Sequence, residues 1–149
     1  MWILNLSLML LLQAPATPNQ VVVGLIDGQK VVIHNPKFNG FIRGRDGEIV
    51  LAYRQNHVHG LMPASVISKI EFGFYDKHRP FPMTVTLKNG ERLEVEGTGP
   101  NYVTVNGDTD IGAVRIKHPD PISTPLRLSD DIPNRRKHLS IQYLEFPGP

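Results

Sequence analysis

The clearest pattern along the chain is a β-hairpin over residues 83–97. Apolar residues occupy every second position from Met83 to Leu87, before an Asn-Gly pair, and return at Leu93 and Val95 after it. Alternation with a period of two predicts strands that have one apolar face. The segment therefore predicts two antiparallel strands joined by a tight turn.

The length of this turn follows from keeping the apolar faces together. A two-residue Asn89-Gly90 loop would pair Leu87 with Arg92, which puts an apolar and a charged side chain on the same face. A three-residue loop, with the glycine in the left-handed conformation, restores apolar pairing. We therefore predict the bulged three-residue turn, which pairs Val85 with Leu93 and Met83 with Val95.

An earlier stretch, residues 21–33, repeats this hairpin residue class by residue class. Asp27-Gly28 stands where the Asn-Gly pair stands in the later hairpin. The recurrence of spacing, turn chemistry and parity predicts a duplicated β-unit. The same register pairs Val23 with Val31 and Val21 with Ile33.

The remaining pattern predicts an all-β protein built from two tandem small β-barrel or β-sandwich units, similar in plan to SH3-like or Sm-like domains. The 13 Gly and 13 Pro are scattered at turn-like intervals, and no amphipathic helical stretch competes with the strands. Turns are predicted at residues 34–37 and 106–108, and one helical turn at residues 63–66. Strands are predicted at residues 38–42, 48–53, 67–74, 102–105 and 113–117.

The chain divides into a signal, two units and a tail. Residues 1–16 form an apolar run with an Ala-x-Ala site, which predicts an export signal cleaved after Ala16 and no membrane span thereafter; a buried first strand is the alternative. The two β-units cover residues 17–75 and 83–128. Residues 129–149 form a Pro-rich tail with a predicted strand at 139–146, which either closes the protein's own sheet or adds to another protein's edge.

Part of the chain resembles a recurrent pattern in secreted bacterial β-domains that are uncharacterised. The shared features are the strand at residues 67–72, the hairpin at 85–90, the Gly-x-Thr-x-x-Gly turn at 107–112 and the strand at 114–116. The resemblance covers roughly residues 66–116 and implies a small SH3-like or Sm-like barrel. It implies no catalytic residues.

Composition excludes several classes of function. The 16 basic and 14 acidic residues give a net charge of only +2, which argues against a nucleic-acid-binding protein. The chain has no cysteine, so it has no disulfide, thiolate metal site or cysteine nucleophile. No Gly-x-Ser-x-Gly or His-Glu-x-x-His motif is present, which favours a protein that is not an enzyme.

Two basic segments are candidate binding sites. Arg43 and Arg45 lie in a predicted turn at residues 43–47, and a basic cluster occurs in the tail. Either could contact an anionic envelope polymer or lipid, although such clusters are more often solvated loops. The cluster consists of Arg135, Arg136 and Lys137.

Two segments could hold a metal ion. His57 and His59 are spaced to lie on one face of a strand, but no third ligand is identifiable nearby in the sequence. Residues 106–110 alternate like the start of a calcium loop, yet Ile111 stands where that loop needs a glycine. A solvated pair and a simple turn are the plainer interpretations.

Two functional hypotheses remain. The first is a non-catalytic secreted or periplasmic module, without cofactor, that binds a protein or an envelope polymer through a sheet edge or the barrel loops. The second is a small metal-dependent envelope enzyme or metal-binding protein that uses His57 and His59.

Overall fold

The computed structural model describes residues 19–73, 81–98, 100, 102–119 and 141–148. Of these residues, 72% lie in β-strands, which form an antiparallel sheet that curls into a half-barrel. The predicted all-β fold is confirmed. The predicted signal, residues 1–16, lies outside the described residues. Residues 129–140 of the predicted tail also lie outside them.

Eleven strands and one turn of 3-10 helix follow one another along the described chain. The helix, Ala64–Val66, begins after Pro63, as the sequence predicts. The strands are β1 (Gln20–Leu25), β2 (Lys30–Gly40), β3 (Ile42–Arg45), β4 (Glu48–Gln55), β5 (Val58–Pro63), β6 (Ile67–Phe72), β7 (Pro82–Leu87), β8 (Arg92–Gly97), β9 (Val103–Thr109), β10 (Gly112–His118) and β11 (Ile141–Glu145).

The hairpins β1–β2 and β7–β8 share one turn geometry. In each, the residue before the turn donates its backbone N–H to the carbonyl oxygen of the residue after the turn, with an N···O distance of 2.8 Å. The pairs are Leu25 with Gln29 and Leu87 with Glu91. The glycine in third place has φ of +90° in the first turn and +89° in the second, where only glycine is unstrained. Both predicted registers are confirmed: Val23 with Val31, Val21 with Ile33, Val85 with Leu93, and Met83 with Val95.

The strands lie in the order β10-β9-β2-β1-β11-β6-β7-β8-β4-β3, and β5 pairs with β4. The strand predicted at residues 139–146 is present as β11, which pairs with β1 on one side and β6 on the other. It therefore closes the protein's own sheet and leaves no free edge of its own.

The chain passes from β2 into β3 through a sharp bend at Gly40 and Phe41. Gly40 has φ of +117°, and a Cβ there would lie 2.0 Å from the Tyr102 carbonyl oxygen, so only glycine fits. The Phe41 N–H donates to Tyr102 O at 3.0 Å, and the Phe41 carbonyl accepts the Ala52 N–H at 2.7 Å. Because of this bend, β2 pairs with β1 and β9, whereas β3, which follows directly, pairs with β4.

Strands from both predicted units pack into one core. The β7–β8 hairpin lies between β6 and β4, and the β9–β10 hairpin attaches to β2. Two separate tandem units are therefore not confirmed, because the two stretches share one sheet. The largest fully buried side chains come from both units and from the connector between them, which supplies Phe81: Phe41, Phe81, Ile33, Ile42, Leu51, Ile67, Ile70 and Met83.

Two predicted turns are wrong. At residues 34–37, β2 continues through a register shift between His34 and Lys37, and Asn35 adopts φ of +50° to absorb the extra length. At residues 106–108, β9 continues to Thr109. Gly107 serves close packing there, because a Cβ on it would lie 2.3 Å from the Ile33 Cγ2 atom.

Candidate functional site

The described sheet leaves the outer side of three strands unpaired. Among the described strands, β10 pairs only with β9, while β5 and the four-residue β3 each pair only with β4. An outer strand presents a row of backbone N–H and C=O groups that can pair with a further strand. These edges are therefore candidate binding sites.

β10 presents three residues with outward-facing backbone groups. The two-residue turn of β9–β10 closes on the pair Thr109 and Gly112. A pair at this spacing is a hydrogen-bonded one, and hydrogen bonding alternates along an antiparallel ladder, so every second residue after Gly112 also bonds to β9. The intervening residues direct their N–H and C=O groups away from the sheet: Ala113, Arg115 and Lys117.

Cations gather on the outer face of the sheet beside this edge. Lys37, Asn106 and Arg115 are directly opposite one another across β2, β9 and β10, and Lys117 lies in the next row opposite Thr104. Strands are about 4.8 Å apart, so the Cα atoms of Lys37 and Arg115 are separated by about 10 Å. We refer to Lys37, Arg115 and Lys117 as the basic face.

The basic face is available to a ligand. Lys37 and Arg115 form no ion pair or side-chain hydrogen bond with any residue in the described ranges. The Lys117 ammonium lies 4.9 Å from the centre of the Tyr102 ring, a cation–π contact that fixes its position without neutralising it. The acidic residues of this region lie nearer the turn, with Asp108 opposite Ala113. Charge is therefore segregated along β10.

A cleft of about 580 Å³ opens where the bulge of β2 meets the β9–β10 hairpin. Its polar lining includes Asn35, Lys37, Asn106, Asp108 and Arg115. Bulges often reorient side chains next to functional sites. Here the bulge places amide and cationic donors around a space that a carboxylate-bearing side chain can enter.

His118 is a buried histidine at the inner end of β10. Its ring stacks on Phe72 at 4.7 Å between centres and packs against Phe81 at 5.1 Å. Neither ring nitrogen has a hydrogen-bond partner within the described ranges. Burial lowers the pKa of His118 to about 4, because the imidazolium form is desolvated. At neutral pH the side chain is therefore an uncharged aromatic ring of the core.

A second, smaller cleft of about 330 Å³ lies at the junction of β4 and β8. Its charged groups are already paired with one another. Arg54 binds Glu96 through Nη2 and also through Nε at 3.2 Å, and Thr84 donates to Glu94 at 3.0 Å. This cleft therefore offers a ligand fewer unpartnered groups than the basic face does.

The predicted basic residues Arg43 and Arg45 lie in β3 and not in a turn. Both are exposed, and the turn itself consists of Asp46 and Gly47, which both have positive φ. The Arg45 Nε atom lies 3.8 Å from the Asp46 Oδ2 atom. The structure does not bring these arginines together with the tail cluster in any described contact, because Arg135, Arg136 and Lys137 lie outside the described residues.

The predicted histidine pair lies at the tip of the β4–β5 hairpin. His57 occupies the turn and only His59 lies in a strand, so the prediction that both share a strand face is wrong for His57. Both side chains are exposed. Within the described ranges, no group of three or more His, Asp or Glu side chains is arranged to hold a metal ion.

The basic face was missed at the sequence level. Arg115 and Lys117 alternate with Val114 and Ile116, which identifies a strand with one charged face. The alternation does not show that this strand ends the sheet, nor that Lys37 lies two strands away. That information depends on the bulge in β2 and on the pairing of strands distant in sequence.

In the part of the chain that the structure describes, no helix has the length and apolar character needed to cross a bilayer. No protein-family model matches the chain, and no significant match occurs among curated proteins or solved structures.

Proposed function

We propose that this protein is a non-catalytic, exported interaction module that binds a partner polypeptide by adding a strand to β10. The observation that carries the proposal is the edge of β10, which no described strand pairs with, beside a basic face that no described acidic side chain neutralises. Edge addition obtains affinity from main-chain hydrogen bonds and specificity from the side chains that flank them. β10 offers both within seven residues.

The test is selection from an unbiased library of displayed 12-residue peptides on the purified protein. We expect enriched peptides to bind the wild type and to lose binding to the Ala113→Pro variant. Proline removes an outward-facing N–H and is tolerated at a strand edge. Circular dichroism and thermal melting verify that the variant is folded.

The matched control is Leu61→Pro, which makes the same change at the outward side of β5. Peptides that bind β10 should bind this variant as they bind the wild type. The proposal is overturned if no peptide is enriched, or if Ala113→Pro leaves binding unchanged. Binding of an anionic envelope polymer that ignores Ala113→Pro but responds to the basic face would also overturn it.

We further propose that the module acts outside the cytoplasm. The support is the apolar run and the Ala-x-Ala site within residues 1–16. The intact mass of the protein recovered from the periplasm or medium of an expressing bacterium should correspond to a chain that begins at Thr17. Recovery of only the full-length chain from the cytoplasm would contradict export.

A further inference from the structure

We infer that the β10 edge selects an extended peptide in which acidic residues alternate with apolar residues. This inference rests on the proposed function, because it specifies the partner of the same edge. Two carboxylates two positions apart would face Arg115 and Lys117, and the residue between them would face the apolar side of the sheet.

The spacing of the acidic residues follows from the geometry of the edge. A strand added to β10 forms hydrogen-bonded pairs with Arg115 and Lys117, whose backbone groups face outward. Directly paired residues have Cβ atoms about 5.5 Å apart and project to the same face. Carboxylates at those two partner positions would therefore lie beside the two cations.

The apolar residue follows from the opposite face of the same strand. Val114 and Ile116 are partly buried and pack against the core cluster. Side chains alternate along a strand, so the partner residue between the two acidic ones projects to the opposite face, beside Val114 and Ile116. An apolar side chain at that position extends the core face, whereas a charged one would be desolvated there.

Acidic residues beyond this pair are disfavoured. The next outward-facing position is Ala113, and Asp108 is directly opposite it on β9. The exposed Asp110 follows at the turn. A third carboxylate in the same register would meet like charges, so the motif comprises two acidic positions and no more.

The cleft beside Arg115 supports the same assignment. Arg115 and Lys37 both line it, and Lys37 has no described partner that would neutralise it. A glutamate opposite Arg115 would direct its carboxylate toward the Arg115 guanidinium, and Lys37, which lies two strands further into the sheet, would add to the positive potential there. The longer side chain should therefore be preferred over aspartate at this position.

The experiment compares four six-residue peptides by fluorescence anisotropy at low and at 0.5 M salt. They are Thr-Glu-Val-Glu-Val-Thr, its isomer Thr-Glu-Glu-Val-Val-Thr, the neutral Thr-Gln-Val-Gln-Val-Thr and the basic Thr-Lys-Val-Lys-Val-Thr. We expect the first to bind about tenfold more tightly than the others, because only this peptide places both carboxylates directly opposite the two cations. High salt should remove most of this preference.

The diagnostic variant is the double substitution Arg115→Glu and Lys117→Glu, with Arg43→Glu and Arg45→Glu as its matched control. Both replace two arginine or lysine residues at alternate positions of an outer strand, and both change the net charge equally. The β10 variant should prefer the basic peptide over the acidic one. The β3 control should keep the wild-type order.

The outcomes separate this inference from the proposed function. Equal binding of the acidic, isomeric and neutral peptides, all lost in Ala113→Pro, overturns the charge specificity and leaves edge addition intact. Preference for both acidic peptides irrespective of their order, unaffected by Ala113→Pro, overturns the strand geometry. Absence of binding by all four peptides overturns the acidic–apolar motif, whereas the proposed function is overturned only if the library selection enriches no peptide that depends on the β10 edge.

Discussion

β10 and β5 are both outer strands of hairpins with two-residue turns, but they present different edges. β10 directs the backbone groups of Ala113, Arg115 and Lys117 outward, and two of these residues carry charge. The corresponding residues of β5 are His59, Leu61 and Pro63. Proline has no N–H, and the 3-10 helix follows it directly, so the donor row of β5 is shorter.

The comparison shows that a free edge is not in itself a binding site. Natural sheets protect their edges with proline, short strands or charge. Pro63 shortens the row of N–H donors on β5. The positive charges that protect β10 from neutral or basic strands would attract an acidic strand. The same residues can therefore prevent nonspecific pairing and select a partner.

The two strands also differ in how they are anchored, and acid should reveal this most strongly. β10 ends at His118, whose pKa is lowered by burial to about 4 from the ordinary value of 6.5. Above pH 6.5 the imidazole is neutral in both the folded and the unfolded chain. Between pH 6.5 and 4 only the unfolded chain takes up the proton, so the free energy of unfolding should fall by about 3 kcal/mol over this window.

Urea denaturation at a series of pH values measures this loss, with His118→Phe as the control. Phenylalanine keeps an aromatic ring against Phe72 and Phe81 and removes the titration. Carboxylates titrate similarly in both proteins, so the difference between their pH profiles isolates His118. Parallel profiles would show that His118 is not desolvated in the folded state.

Adding a side chain to each outer strand should give the next largest difference. A Cβ on Gly60 of β5 would lie 2.7 Å from the Tyr53 Oη atom and 2.8 Å from its Cε1 atom, so Gly60→Val must displace that ring. We expect a loss of about 1–2 kcal/mol in the free energy of unfolding. Ala113→Val on β10 is exposed and should change it by less than about 0.5 kcal/mol.

Equal effects in chemical denaturation would contradict the packing of Tyr53 over β5. The double variant Gly60→Val, Tyr53→Ala provides a further check. Once the ring is removed, valine at position 60 should add little further destabilisation, because the atoms that it contacts are absent.

Replacing an arginine near each edge should give a smaller difference in the free energy of unfolding. Arg54, which is opposite His59 of β5, binds Glu96 through two nitrogens, but both side chains are about two-fifths exposed. Arg54→Ala should therefore cost only about 0.5–1 kcal/mol, and less at high salt. Arg115→Ala on β10 should leave the free energy of unfolding unchanged within about 0.5 kcal/mol, because Arg115 has no described partner. Thermal denaturation of both variants at low and high salt makes the comparison, and a larger loss for Arg115 would show that its charge is structural.

The local part of the fold could be predicted from the sequence, and its assembly could not. The Asp-Gly and Asn-Gly turns determine two hairpins and their registers, because only one loop length keeps the apolar faces aligned. The pairing of strands that are distant in sequence could not be predicted. β11 enters between β1 and β6 from the far end of the chain, and Gly107 is indistinguishable in sequence from a turn glycine.

The candidate site was less accessible to prediction, since its residues become neighbours only through that assembly. Lys37 is separated from Arg115 by 78 positions in sequence, and the β2 bulge that aligns them was predicted as a turn. The conspicuous runs, Arg43 with Arg45 and His57 with His59, are conspicuous because they are local. Clustering in sequence was therefore a poor guide to clustering across the sheet.

The smallest expected effect concerns the protection of β5. Pro63→Thr restores an outward-facing N–H at the end of this strand and should change stability by less than about 0.5 kcal/mol. Pro82→Thr, within β7, is the matched control, because β7 is already paired with β6 and β8. Sedimentation velocity at rising concentration should show weak self-association for the first variant only, since a lengthened donor row lets two β5 edges pair. If the Pro63 variant sediments like the control at every concentration, then proline is not what protects the β5 edge from pairing.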